Sequence, residues 1–126
     1  MTMRQALRLT NVEPQLVALV TDVGMARDII VLQGARTVAE ELEAIASHHS
    51  ALRDPMHSKH VISDTRPLAQ AVDIGPWPLD WKDIASFQEL GAFMKERALA
   101  LHTPIQWGGE WVHLKDYVHY EMIEAI

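Results

Sequence analysis

Cysteine is absent from the 126 residues, which removes disulfides, thiolate ligands and a cysteine nucleophile together. Any metal must therefore be held by nitrogen and oxygen donors. An excess of positive charge is missing too: 11 Lys and Arg stand against 17 Asp and Glu, a formal charge of -6. Nucleic-acid affinity rests on cationic side chains that neutralise phosphates, so no nucleic-acid partner is expected. No apolar run approaches the roughly 20 residues of a membrane span, and the start MTMRQALRLT lacks the apolar core of a secretory signal. Neither a membrane partner nor an export address is expected, and the chain is read as made in the cytoplasm. No repeat, linker or low-complexity tract divides it, so 1–126 reads as one domain, long enough to bury a core without staples.

What is present is an ordinary globular balance, 48% hydrophobic and 22% charged residues. From Asn11 to Asp28 the spacing of Leu16, Val17, Val20 and Val23 predicts a helix, with Asn11 as cap and Pro14 in the first turn. Ile29-Ile30-Val31-Leu32 reads as a buried strand. Thr37 and Glu40 form a capping box for a helix reaching about Ser47, which leaves Arg36 between strand and helix, where polar residues can face a cleft. Apolar periodicity then vanishes from His48 to Pro67, a long loop of the kind that tends to be functional.

Alternation resumes from Leu68 to Ile74, with Ala69, Ala71 and Asp73 on one face and Leu68, Val72 and Ile74 toward the core. After G-P-W-P, Asp80 is expected to cap a helix from Trp81 to about Leu101. Its buried stripe would comprise Ile84, Phe87, Leu90, Phe93 or Met94, Ala98 and Leu101. Pro104 to Trp107 and Val118 to Met122 read as strands around a Gly108-Gly109 turn. Helices and strands mixed without βαβ alternation imply α+β, a small antiparallel sheet packed with about three helices.

Seven histidines are present, at 48, 49, 57, 60, 102, 113 and 119, and a histidine taken alone is more often an ordinary half-buried polar residue than a ligand. His60 and His119 stand out by their company. His60 precedes A-V-D, whose Asp73 shares a face with two alanines, and His119 follows Asp116 by three residues. Two His and one Asp from separate segments are a set able to hold a catalytic zinc with its fourth position open, and Asp116 would remain to move protons. Asp64 is a rival ligand. His48, His49 and His57 read as solvated loop rather than a second metal site, and Arg53 and Arg66 as solvated. Trp77, Trp81, Trp107 and Trp111 read as core and turn anchors. Glu121 is open between an exposed strand carboxylate and a partner that orients the His119 imidazole.

The order S-K-H at 58–60, A-V-D at 71–73 and D-Y-V-H at 116–119 resembles the zinc-dependent M15 peptidases, which include D-alanyl-D-alanine carboxypeptidases and L-alanyl-D-glutamate endopeptidases, and phage endolysins in particular. Q-G-A-R-T at 33–37, A-V-D-I-G-P-W-P-L-D-W at 71–81, I-Q-W-G-G-E-W at 105–111 and H-Y-E-M at 119–122 extend the likeness over most of the chain. The resemblance implies Zn2+ on His60, Asp73 and His119, Asp116 as catalytic base and acid, Arg36 as a catalytic and substrate-binding arginine, and Ser58 as a substrate contact. It also implies a monomeric enzyme that cuts the peptidoglycan stem peptide as an L-alanyl-D-glutamate endopeptidase, held in the host cytoplasm until lysis. The sequence departs from the family pattern in the twelve residues separating His60 from Asp73, where VISDTR reads as a loop insertion, and in an Asp at 116 where many relatives carry Glu. A D-alanyl-D-alanine carboxypeptidase, or a non-catalytic wall-binding phage protein on the same fold, is the alternative.

Overall fold

The computed structural model describes residues 3–46, 58–112 and 114–123. In chain order these form α1 (Met3–Leu7), α2 (Pro14–Ala26), β1 (Ile29–Gln33), α3 (Val38–Ala46), β2 (Ala71–Pro76), α4 (Ile84–Ala100), β3 (Ile105–Trp107), a 3-10 turn (Gly108–Glu110) and β4 (His119–Met122). The strands make one antiparallel sheet in the order β1-β2-β4-β3. The α+β reading therefore holds, with four helices among the described residues rather than about three. No helix among these residues is long and apolar enough to cross a membrane.

One sheet face meets the helices. Val31, Val72, Ile74 and Tyr120 pack with Leu16, Leu19, Val20 and Val23 of α2 and with Leu90, Met94 and Ala98 of α4. Because strand side chains alternate, Ala71 and Asp73 point away from that core, and the register sets Ala71 beside Glu121 and Asp73 beside His119 on the other face. The outer edge of β1 is closed by α1 and the turn after it: Arg8 donates to the Val31 carbonyl at 2.7 Å, and the Val31 N–H donates to the Gln5 side chain.

Several boundaries differ from expectation, each because another local bond wins. Asn11 does not cap α2; it lies in the left-handed region at φ 61, and its carbonyl accepts the Ala69 N–H at 2.7 Å. Glu13 stands at the cap and Pro14 opens the helix. Asp80 does not cap α4 either. It accepts from Lys82 N in a turn (3.0 Å), while Asp83 takes Ser86 N (3.2 Å) and Ser86 Oγ (2.6 Å) and starts the helix at Ile84. Met94 rather than Phe93 fills the core position, and Ile84 and Leu101 are exposed. The strand expected from Leu68 begins at Ala71, because Ala69 bridges Val12 instead and Gln70 bonds Lys59.

The capping box at Thr37 is reciprocal, Thr37 N to Glu40 Oε1 at 3.0 Å and Glu40 N to Thr37 Oγ1 at 3.1 Å. Trp107 is buried, as a core anchor should be, with its Nε1–H on the Tyr117 carbonyl at 2.8 Å. Trp77 and Trp81 are instead 58% and 60% exposed; Trp81 lays one face on Phe87 and leaves the other to solvent. His48, His49, Arg53, His57 and the Ser47 end of the predicted helix lie outside the described residues.

Candidate metal centre

Three chain segments converge on one spot above the polar face of the sheet. Asp73 of β2 and His119 of β4 are cross-strand partners, so their side chains leave adjacent backbone positions. His60 comes from a turn outside the sheet, and that turn is pinned on two sides: Arg36 N donates to the His60 carbonyl at 2.7 Å and Gln70 N to the Lys59 carbonyl at 2.8 Å. Val61, fully buried, bridges Arg36 and anchors the turn in the core.

The resulting geometry is that of a ligand set. His60 Nε2 lies 3.2 Å from Asp73 Oδ1 and 3.2 Å from His119 Nδ1, and His119 Nδ1 lies 3.3 Å from Asp73 Oδ1. Bonds of about 2.0–2.1 Å in a tetrahedron separate neighbouring ligand atoms by about 3.3 Å, so this triangle already has the edge a zinc ion requires. Among the described residues this is the one group of such side chains close enough together to hold a metal. The two distal ring nitrogens are also committed. His60 Nδ1 faces the Gly34 carbonyl at 2.8 Å, and His119 Nε2 faces Glu121 Oε1 at 2.9 Å. Each acceptor fixes the tautomer that turns the other nitrogen, with its lone pair, toward the centre.

The electrostatics suit a cation. Burial alone would raise the Asp73 carboxyl, but hydrogen bonds from His119 and His60 outweigh it and hold the group well below the usual carboxylate range. Burial alone would depress the His119 imidazole, yet Asp73 and Glu121 flank it and push it up to about 9. Asp116 behaves differently: burial first and the Asp73 charge second raise its carboxyl, while the His119 and His60 charges and the Val118 N–H oppose the shift. It therefore sits within electrostatic reach of all three candidate ligands. Gly108 holds its backbone, accepting Asp116 N–H at 3.0 Å.

The structure places the remaining sequence candidates as follows. Arg36 donates from Nη1 to Glu41 Oε2 at 2.8 Å and is mostly buried. Ser58 is buried and its Oγ accepts the His60 N–H at 3.3 Å, so its visible work is to shape the ligand turn. Asp64 is exposed and outside the cluster. Arg66 is not solvated as expected: Nε reaches the Val61 carbonyl at 3.1 Å and Nη2 the Ser58 carbonyl at 2.7 Å, folding VISDTR back onto the turn. Sequence reasoning missed Glu41, fully buried although it reads as a helix-surface acid; Gly34, whose carbonyl fixes His60; and Lys59, which bonds Glu121. It also missed Trp111, whose ring lies 5.1 Å from that of His119. Gly34, Lys59 and Trp111 carried a signal in their places in Q-G-A-R-T, S-K-H and I-Q-W-G-G-E-W, whereas Glu41 carried none.

The profile of the family described as phage L-alanyl-D-glutamate peptidase matches residues 1–124. The chain belongs to this phage peptidase family. An L-alanyl-D-glutamate peptidase of Escherichia phage T5 is 31% identical to it over 93 residues, 71% of this chain and 64% of that protein, so the alignment spans just under two thirds of the relative's length. Two solved structures share the fold. The Serratia marcescens L-Ala D-Glu endopeptidase ChiX superposes with a TM-score of 0.79 at 23% identity, over 98% of this chain and 89% of its own. The vancomycin-resistance D,D-pentapeptidase VanY, solved in complex with Zn(II), gives 0.57 at 13% identity, over 93% of this chain and 77% of its own. In this member of the phage peptidase family, the His-Asp-His cluster lies on the fold those enzymes share.

Proposed function

We propose that residues 1–126 form one zinc-dependent peptidase domain that hydrolyses the L-alanyl-D-glutamate bond of the peptidoglycan stem peptide. The observation that carries this reading is the triangle of His60, Asp73 and His119 donor atoms, 3.2–3.3 Å on each side, within a chain of the phage L-alanyl-D-glutamate peptidase family. Zinc held by these three residues supplies a Lewis acid that polarises a carbonyl and makes water nucleophilic near neutral pH.

The protein's own groups do the rest. Asp116, with its raised carboxyl, takes a proton from the attacking water and returns it to the leaving amine of the D-glutamyl residue. Arg36 is tied by its backbone N–H to the His60 carbonyl at 2.7 Å, and spends one guanidinium N–H on Glu41. Its remaining donors suit the carboxylate of the D-glutamyl side or the developing oxyanion. Ser58 Oγ accepts from His60 N–H and keeps its own proton for a peptide carbonyl. The enzyme works as a monomer on the bacterial cell wall and waits in the host cytoplasm until lysis.

The test is digestion of purified muropeptides, read by mass spectrometry. Cleavage between L-alanine and D-glutamate, abolished by chelator and by Asp116→Ala, is the expected result. Release of terminal D-alanine would reassign the protein as a D-alanyl-D-alanine carboxypeptidase, and no turnover with zinc bound would make it a wall-binding protein. For Arg36 the variant is Arg36→Lys, since Arg36→Ala would leave the buried Glu41 carboxylate without this partner, a change that destabilises by about 3–5 kcal/mol.

A further inference from the structure

The two ligand histidines are oriented by unlike partners. The distal nitrogen of His60 meets a neutral carbonyl, that of Gly34, whereas the distal nitrogen of His119 meets a carboxylate, that of Glu121. The second oxygen of Glu121 is held in turn. Lys59 Nζ lies 3.1 Å from Glu121 Oε2, and Gln106 Nε2 donates to the same oxygen at 3.4 Å. Lys59 also donates to the Met122 carbonyl at 2.6 Å, so its ammonium is fixed at the end of β4 by two acceptors. Lys59 is the residue next to His60, and Glu121 is two along from His119 on the same strand face.

From this geometry we infer that Lys59 and Glu121 form a brace between the turn that carries the first ligand and the strand that carries the third, and that Glu121 is a positioning residue for the metal. A carboxylate on the far side of a ligating imidazole fixes the ring and increases its donor strength. The half-buried Glu121 carboxylate needs a counter-charge to stay in place, and Lys59 supplies it. The pair is shielded, with side-chain exposures of 20% and 15%, so salt screens it less than a surface pair. Ala71, opposite Glu121 on β2, leaves room for the carboxylate to lie across the sheet. The inference rests on the zinc reading of the cluster.

Zinc affinity measured by competition with a chelating dye, together with thermal unfolding of the metal-free protein, tests it. Glu121→Ala is expected to weaken zinc binding by about 10–100-fold, with Glu121→Gln, which keeps an acceptor without the charge, falling between it and wild type. Lys59→Met is expected to weaken binding by a smaller factor. Because Lys59 acts through Glu121, Lys59→Met should add nothing in the Glu121→Ala background. A merely structural ion pair would instead lower the melting temperature of the metal-free protein and leave zinc affinity alone. Zinc affinity of Glu121→Ala within about twofold of wild type, or losses that add fully in the double variant, would overturn the brace while leaving the metal centre intact, provided His60→Ala loses the ion. Failure of the wild type to take up zinc would overturn both.

Discussion

Gly108→Ala should separate the proposed proton-handling role of Asp116 from the proposed metal site. A Cβ built on Gly108 would stand 2.4 Å from the Asp116 carbonyl oxygen and 3.1 Å from Asp116 Cβ, whereas ordinary contact begins at 3.4 Å. Restoring ordinary contact separates the Gly108 and Asp116 backbones by about 1 Å. The hydrogen bond from Asp116 N–H to the Gly108 carbonyl moves with them. Misplacement of a catalytic group by about 1 Å costs on the order of 100-fold in rate, and overpacking of this kind destabilises by about 1–3 kcal/mol. The same Asp116 carbonyl accepts the His119 N–H at 3.2 Å, but His119 is also held by its strand pairing with Asp73, so zinc stoichiometry should remain at the wild-type value. The assay pairs muropeptide turnover at saturating zinc with metal analysis of the purified variant and a melting curve. Turnover within a few-fold of wild type, in a folded variant that carries zinc, would refute the placement of Asp116 at the reacting atoms.

Three further outcomes are expected. His60→Ala and His119→Ala should each abolish stoichiometric zinc by metal analysis, whereas His102→Ala, at an exposed left-handed position beyond α4, should retain it. Tyr120→Phe should raise stability by about 1 kcal/mol in denaturant unfolding, because the Tyr120 hydroxyl is buried without a partner among the described residues and its removal strands nothing else. Asp22 should shape the acid limb of stability. The hydrogen bond and charge of Arg97 depress its carboxyl in the folded state, so the pair stabilises fully above the unfolded value of about 3.9 and the benefit fades as pH falls through the lower folded value. Asp22→Asn should therefore flatten the pH dependence of the melting temperature below pH 4 or so, and an unchanged slope there would count against the linkage.

What could be read from the residues alone was whatever depends on local pattern. The capping box at Thr37 and Glu40, the alternation that sends Asp73 away from Val72 and Ile74, and the helical stripe of Phe87, Leu90, Met94 and Ala98 are all short-range consequences of composition and spacing. Competition between equivalent local options was not legible. Asp80 and Asp83 are both plausible caps, and only the turn that commits Asp80 to Lys82 decides between them. Asn11 was lost to a long-range bond with Ala69, 58 residues away, which no local pattern encodes. The same holds around the cluster. Glu41 and Arg66 look like surface charges until the tertiary fold brings Arg36 to one and the Ser58 and Val61 carbonyls to the other.

The short helix α1 does for the sheet what a fifth strand would otherwise do. Gln5 and Arg8 answer the outward amide and carbonyl of Val31 with side chains, which satisfies the rim of β1 without extending the ladder. At the opposite rim β3 is only three residues long, too short a template to recruit a neighbour readily. Shorn of its first eight residues, the chain would expose Ile29 to Gln33 as an open, apolar border and invite copies of itself to zip together. Side chains of one helical turn and the residue after it thus take the place of a neighbouring strand.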